Sequence, residues 1–283
     1  MTAQIVRLRS RLLLPLALAF LALFILGFTA IYLIQKRSLD ANVEDRISNA
    51  RLLYSELLKV EAEVLWSLTN NFREMKNLQP PFLAGNRAEL LRQALPLFRE
   101  IESRHDITHF YFHRPDKTCF LRVHNPERHD DLIERQTLDQ AAQSAAPAYG
   151  VELGPLGTLT LRLVQPWRVD GKLIGFIELG KEIDKITPIL DHILNLQLVF
   201  TIDKQFLNRQ LWEEGKKMLN KHADWDSFPG FVVVSTTFRQ LPSELGMEIA
   251  KHFASHDNTL FDAAGNIRVY RGGAIPQIGR AHV

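Results

Sequence analysis

The chain has 283 residues, 46% hydrophobic and 23% charged, which describes a folded protein long enough for about two ordinary domains. Lys and Arg number 34 against 32 Asp and Glu, a net charge of +2 that gives no electrostatic ground for nucleic-acid binding. The single cysteine, Cys119, excludes an internal disulfide framework and any CxxC metal or redox centre.

Residues 1–11 form a short basic lead, and residues 12–34 contain no charged side chain. At 1.5 Å per residue that run reaches roughly 35 Å, enough to cross a hydrocarbon core of about 30 Å. It ends in Tyr32-Leu33-Ile34-Gln35-Lys36-Arg37 without a small-x-small cleavage site, so an uncleaved transmembrane helix is expected rather than a signal peptide. Arg7, Arg9 and Arg11 precede it and Lys36 and Arg37 follow, a slight positive-inside bias. The expected arrangement is a short cytoplasmic N-terminus, a single pass through the membrane, and the bulk of the chain outside.

Residues 38–75 lack Gly and Pro and carry Val43, Ile47, Leu52, Leu53, Leu57, Val60, Val64 and Leu65 near the helical period. A long juxtamembrane helix is expected, ended by a turn at Gln79-Pro80-Pro81, then a second helix with Asn86 as N-cap. Alternation follows: a strand over 109–113, a turn over 114–117, a strand over 118–124, a short helix over 138–145, then strands over 151–153, 158–164 and 173–179 with a turn at Asp170-Gly171. A glycine-free helical connector over 182–195 leads to a strand over 197–202, a helix over 204–219, a strand over 231–236 and a helix over 242–255. Last come Leu260-Phe261, a turn at Ala264-Gly265-Asn266 and a strand over 267–270. Two helices, a hairpin, a short helix and a meander, followed by a shorter copy of that order, imply an α+β fold with antiparallel sheets.

A long helix from the membrane followed by FYFHRPDKTCFLRVHNPERHDD resembles the periplasmic Cache sensor domains of bacteria. The stretch from Gly157 to Asp184, GTLTLRLVQPWRVDGKLIGFIELGKEID, is similar to that family's second signature. Residues 207–228, with Trp212-Glu213-Glu214-Gly215 and Ala223-Asp224-Trp225, resemble the membrane-proximal half of double Cache domains on two-component sensor kinases. The resemblance covers about residues 38–276. It implies a PAS-like distal lobe over 38–195 and a proximal lobe over 196–277, the second incomplete. The final Ile278-Gly279-Arg280-Ala281-His282-Val283 back-translates to ATC-GGA-AGA-GCA-CAC-GTC, which reads like a sequencing-adapter sequence, so residues 278–283 are expected to be an artefact.

Alternate residues of a strand share a face. His109, Tyr111 and His113 therefore oppose Phe110 and Phe112, and Phe120, Arg122 and His124 oppose Cys119, Leu121 and Val123. Arg162 stands between Leu161 and Leu163, and Glu178 between Ile177 and Leu179. The expected ligand-binding set is Tyr111, Arg122, His124, Arg162 and Glu178: guanidiniums suit a small carboxylate, and Glu178 an ammonium group. In the resembling family the distal half usually holds its ligand on this side of the sheet. The alternative is a solvated face with Arg122–Glu178 or Arg162–Glu178 ion pairs of little consequence.

His105, His109, His113, His124 and His129 crowd one segment, but their spacing suits hydrogen-bonded histidines better than a metal centre. Cys119 is expected on the apolar face as a small core residue. No GxSxG, Walker or HExxH pattern occurs, so no catalytic residue, cofactor or metal is expected. The resemblance implies the input half of a membrane receptor: a homodimer that senses a small molecule and signals to a histidine kinase, or else to a diguanylate cyclase or chemoreceptor. An unrelated membrane-anchored periplasmic enzyme or assembly factor is the reading from another class.

Overall fold

A computed structural model describes residues 2–154, 156–218, 222, 224–255, 260–264 and 269–273. The turn at Gly265-Asn266, the tail 278–283, and Leu219 and Ala223 lie outside the described residues.

Helix α1 (Thr2–Glu74) runs unbroken for 73 residues, with Pro15 as its one internal proline. Its apolar run is exposed wherever side chains are described, from Leu13 to Ile34, and the helix is long and apolar enough there to cross a membrane. Further along, Ala50, Tyr54, Ala62, Leu65, Thr69 and Phe72 are buried, at spacings of three, four and eight that keep one face toward the sheet. Leu52 and Val60, expected in that stripe, are exposed: at 100° per residue they fall on the opposite side of the helix.

The expected turn at Gln79-Pro80-Pro81 is instead a short helix, α2 (Gln79–Leu83). Proline at the first helical positions lacks only an N–H that has no partner there, so it starts the helix rather than stopping it. Helix α3 (Arg87–His105) begins as expected, with Asn86 Oδ1 accepting the Glu89 amide at 3.0 Å.

Five strands form one antiparallel sheet in the order β2-β1-β5-β4-β3: β1 (His109–His113), β2 (Cys119–Arg122), β3 (Ala148–Leu153), β4 (Leu159–Val169) and β5 (Lys172–Glu182). Asp170 and Gly171, both with positive φ, close the β4–β5 hairpin as a two-residue turn. Helices α1, α2 and α3 cover one face through Leu65, Phe72, Phe82, Leu90 and Phe98, packed on Phe110, Phe112, Leu163 and Leu179. Helix α4 (Gln136–Ser144) covers the other face.

One alternation fails. Tyr111 pairs with Arg122 and Phe112 with Leu121, but His113 pairs with Cys119, leaving Phe120 as the extra residue of a β-bulge. The bulge turns Phe120 to the helix-packed side, 5.2 Å from the Phe82 ring. It turns Cys119 to the α4 side beside Ile133, Leu138 and Phe176, so Cys119 lies on the face opposite to the expected one.

The connector is a 3-10 turn (Ile183–Lys185) and helix α5 (Thr187–Leu194). Beyond it, β6 (Val199–Asp203) pairs antiparallel with β7 (Phe231–Thr236), and β8 (Phe261–Ala264) with β9 (Val269–Gly272). The expected single helix over 204–219 is a 3-10 turn (Lys204–Phe206) followed by α6 (Arg209–Met218). Asn208 restarts the helix by accepting the Leu211 amide on Oδ1. Helix α7 (Ser243–Ser255) precedes β8. Among the described residues no strand pairing joins the five-stranded sheet to β6–β9. Helix α1 touches both lobes, the five-stranded sheet through Leu65 and Phe72 and the second lobe through Tyr54 against Phe200 and an Asp40–Arg271 ion pair.

Candidate functional site

On the α4 side of the sheet the pleat brings together the polar residues of four strands. Tyr111 is paired with Arg122 on one side and with Glu178 on the other, and Arg162 lies one row along, between Gly150 and Gly180. His124 follows β2 and sets its ring 4.7 Å from that of Tyr111. The structure thus gathers all five expected residues. The face is covered, not solvated: Tyr111, Arg122, Arg162 and Glu178 are all buried.

Glu178 is the electrostatic centre. Arg135 Nη1 and Arg162 Nη1 each donate to its Oε1 at 2.6 Å, and His113 Nε2 lies 2.8 Å from its Oε2. Burial alone would raise this carboxyl, but Arg135 and Arg162, with the His113 hydrogen bond, hold it well below the usual carboxylate range. Burial pushes the His113 imidazole down against the pull of Glu178, so the neutral ring donates from Nε2 and leaves buried Nδ1 without a partner. With three donors on its two oxygens, Glu178 is not the free ammonium acceptor expected.

Arg122 is also committed, forking onto Asp131 with both bonds at 2.6 Å while Nη1 also donates to the Arg128 carbonyl. The guanidiniums of Arg122, Arg135 and Arg162 lie 5.5, 5.0 and 5.8 Å from the Tyr111 ring centre, so one aromatic ring meets three cations. Burial, then the nearby Arg162, lowers His109, and burial drives His124 down to about 4 although its bond to the Phe110 backbone opposes this.

His113, Asp131, Arg135 and Glu152 join the cluster beyond the expected set. Arg135 is the N-cap residue of α4 and reaches down from the cover. Glu152, on edge strand β3, accepts the Thr137 amide of α4 on Oε1 at 2.7 Å, while its Oε2 is buried without a hydrogen bond. Burial raises the Glu152 carboxyl, and the Thr137 amide only partly offsets it. As a lone charge between Val151 and Leu153, Glu152 carries the same sequence signal that singled out Arg162 and Glu178.

Among the described residues no three His, Cys, Asp or Glu side chains converge to hold a metal ion. A separate shallow pocket between the lobes is lined by Leu156, Glu182, Asp184, Lys216 and Val234, and contains none of the cluster.

Residues 40–216 match a family profile described as the double sensory domain of two-component sensor kinase. No curated protein sequence matches the chain. Among solved structures, the E. coli DcuS sensor domain is similar at 15% identity and TM-score 0.40, covering 48% of this chain and 98% of that one. The sensory domain of the Campylobacter jejuni chemoreceptor Tlp3 with isoleucine bound is 14% identical, TM-score 0.43, covering 84% and 87%. The V. cholerae histidine kinase DctB sensor domain is 10% identical, TM-score 0.46, covering 60% and 65%.

Proposed function

Since the chain belongs to the double Cache family, the double sensory domain of two-component sensor kinases, we propose that it is the extracytoplasmic, ligand-sensing input of a bacterial inner-membrane receptor. In this reading residues 12–34 span the bilayer, residues 38–195 with the distal sheet bind ligand, and residues 196–277 pass the signal toward the membrane. The receptor is a homodimer, and its output is a histidine kinase.

The observation that carries the reading is the covered polar face of the five-stranded sheet, where Arg162 from the floor and Arg135 from the cover converge beside Tyr111. A solvated face would not hold these groups under a helix. Guanidiniums desolvated in this way grip a carboxylate far more strongly than they would in water. The ligand is accordingly a small organic anion or amino acid contacting Arg162, Arg135, Tyr111 and His124, with Arg122 and Glu178 framing it.

The test is thermal denaturation of the full chain in lipid nanodiscs against a panel of carboxylates and amino acids. A ligand at a hundredfold its Kd adds about 2.7 kcal/mol, a readily measured shift. Arg135→Ala and Arg162→Ala are expected to abolish the shift. If both variants stay folded and keep it, the ligand binds elsewhere.

A further inference from the structure

Resting on the assignment of this face as the ligand site, we propose that Glu178 is a tethered stand-in for the ligand's carboxylate: it occupies Arg135 and Arg162 and yields them to an entering organic anion.

The bonding pattern sets this cluster apart from a fixed ion pair in the same sheet. Arg122 and Asp131 meet fork to fork, two nitrogens on two oxygens. Arg135 and Arg162 instead each place one nitrogen on the same oxygen of Glu178, and neither makes a second hydrogen bond to a carboxylate. Two guanidiniums sharing one carboxylate oxygen can accept a second carboxylate without breaking a bidentate pair.

Unpartnered polar atoms adjoin them. Arg162 Nε has no hydrogen bond, and neither has Glu152 Oε2, which it faces across 3.8 Å; both residues are more than nine-tenths buried. Thr137 Oγ1, on the cover beside Glu152, is likewise unpartnered. Buried polar atoms without partners are uncommon, and a ligand able to satisfy them gains from each.

The cross-strand partners of Arg162 are Gly150 on β3 and Gly180 on β5, which add no side chain beside it, and His109 and Thr160 close over Gly180. Arg135 belongs to the cover, so its transfer from Glu178 to a ligand changes what holds α4 to the sheet. Glu178 lies on β5, which runs directly into the connector to the second lobe.

The experiment is chemical rescue of Glu178→Ala in the full chain in nanodiscs, read by thermal denaturation. Acetate is the probe, with acetamide and chloride at matched ionic strength as controls. Loss of the carboxylate lowers the melting temperature. Acetate, and neither control, should restore it by roughly 5 °C or more. The wild type should need at least tenfold more acetate for the same gain, because a tethered carboxylate competes at high effective concentration. Glu178→Gln, close in shape but uncharged, repeats the test should the alanine variant fold poorly. A variant melting low with no acetate-specific gain, or acetate restoring neither, makes Glu178 a permanent structural ion and overturns the proposal. The carboxylate and amino-acid panel on the wild type reads the ligand site itself, so that site stands or falls separately.

Discussion

Glu152 caps the helix above it: its Oε1 accepts the backbone amide of Thr137 at 2.7 Å, so edge strand β3 supplies the N-terminal acceptor that α4 lacks in its own N-cap residue, Arg135. The cover is thereby tied to the sheet by this bond as well as by Arg135 on Glu178. Glu152→Ala should cost about 1–2 kcal/mol, the usual value of a lost N-cap. Amide hydrogen exchange should speed up in α4 and leave α3 unchanged.

The same carboxyl gives a pH dependence. Burial raises its pKa in the folded chain, so between the ordinary value and the raised one the folded state binds more protons than the unfolded. Its contribution is therefore full below the ordinary glutamate range and is lost as pH rises through the raised value. Glu152→Gln keeps an acceptor for Thr137 and removes the titration. Its stability, measured by urea denaturation from pH 4 upward, should lack that decline.

The histidines act in the opposite sense. His109, His113 and His124 all have lowered folded values, His124 near 4, so the unfolded chain takes protons that the folded chain refuses. Their stability is complete above the ordinary histidine value and is lost as pH falls toward 4. Discounted for partial exposure, His124 alone is worth about 2 kcal/mol over that window. His124→Gln should flatten the acid limb of a stability–pH curve by that amount; an unchanged limb would place the acid sensitivity elsewhere.

How much of this was legible in the sequence depends on whether a period or a register decided the placement. Arg162 and Glu178 each interrupt an apolar alternation, and alternation is a property of one strand, so their shared face could be read directly. Arg135 belongs to no period. It follows a loop and meets Glu178 because α4 folds back over the sheet, a contact 43 positions apart. Phe120 and Cys119 changed faces through a bulge, which is set by the pairing of β1 with β2 and leaves no mark on the β2 pattern. Asp131, which occupies Arg122, comes from an irregular loop.

That partner changes the expectation for Arg122. Removing it leaves the Asp131 carboxylate and the Arg128 carbonyl without their donor. Because Asp131 is partly exposed, water recovers some of the loss, and Arg122→Ala should cost roughly 1–3 kcal/mol of stability. Pairing it with Asp131→Ala in a double-mutant cycle should recover a positive coupling energy.

Gly157 closes against Trp212 at the junction of the lobes. It has φ 75° in the turn between β3 and β4, and a Cβ there would overlap the Trp212 indole. Trp212 in turn packs with Leu153 and Leu159 of the distal sheet and with Ile202 and Val232 beyond it. Gly157→Ala thus adds backbone strain to a clash and should cost about 2–4 kcal/mol. The single variant Trp212→Ala removes the same packing by truncation, at about 3–5 kcal/mol. In the double variant the clash disappears, so its cost should fall below the sum of the two.

The last expectation concerns the face of α1 turned away from both lobes. Leu52, Lys59 and Trp66 repeat every seven residues and are all exposed, whereas Tyr54 and Leu65 are buried against the chain's own sheets. A seven-residue repeat lies along one side of a helix, so a parallel copy of α1 would meet these three positions in succession. The lone native cysteine is buried and does not interfere with disulfide mapping. Single cysteines at 52, 59 and 66 in native membranes are expected to crosslink efficiently, and cysteines at 54 and 65 to crosslink weakly. Equal yields at all five positions, or none at any, would mean that α1 does not pair along this side.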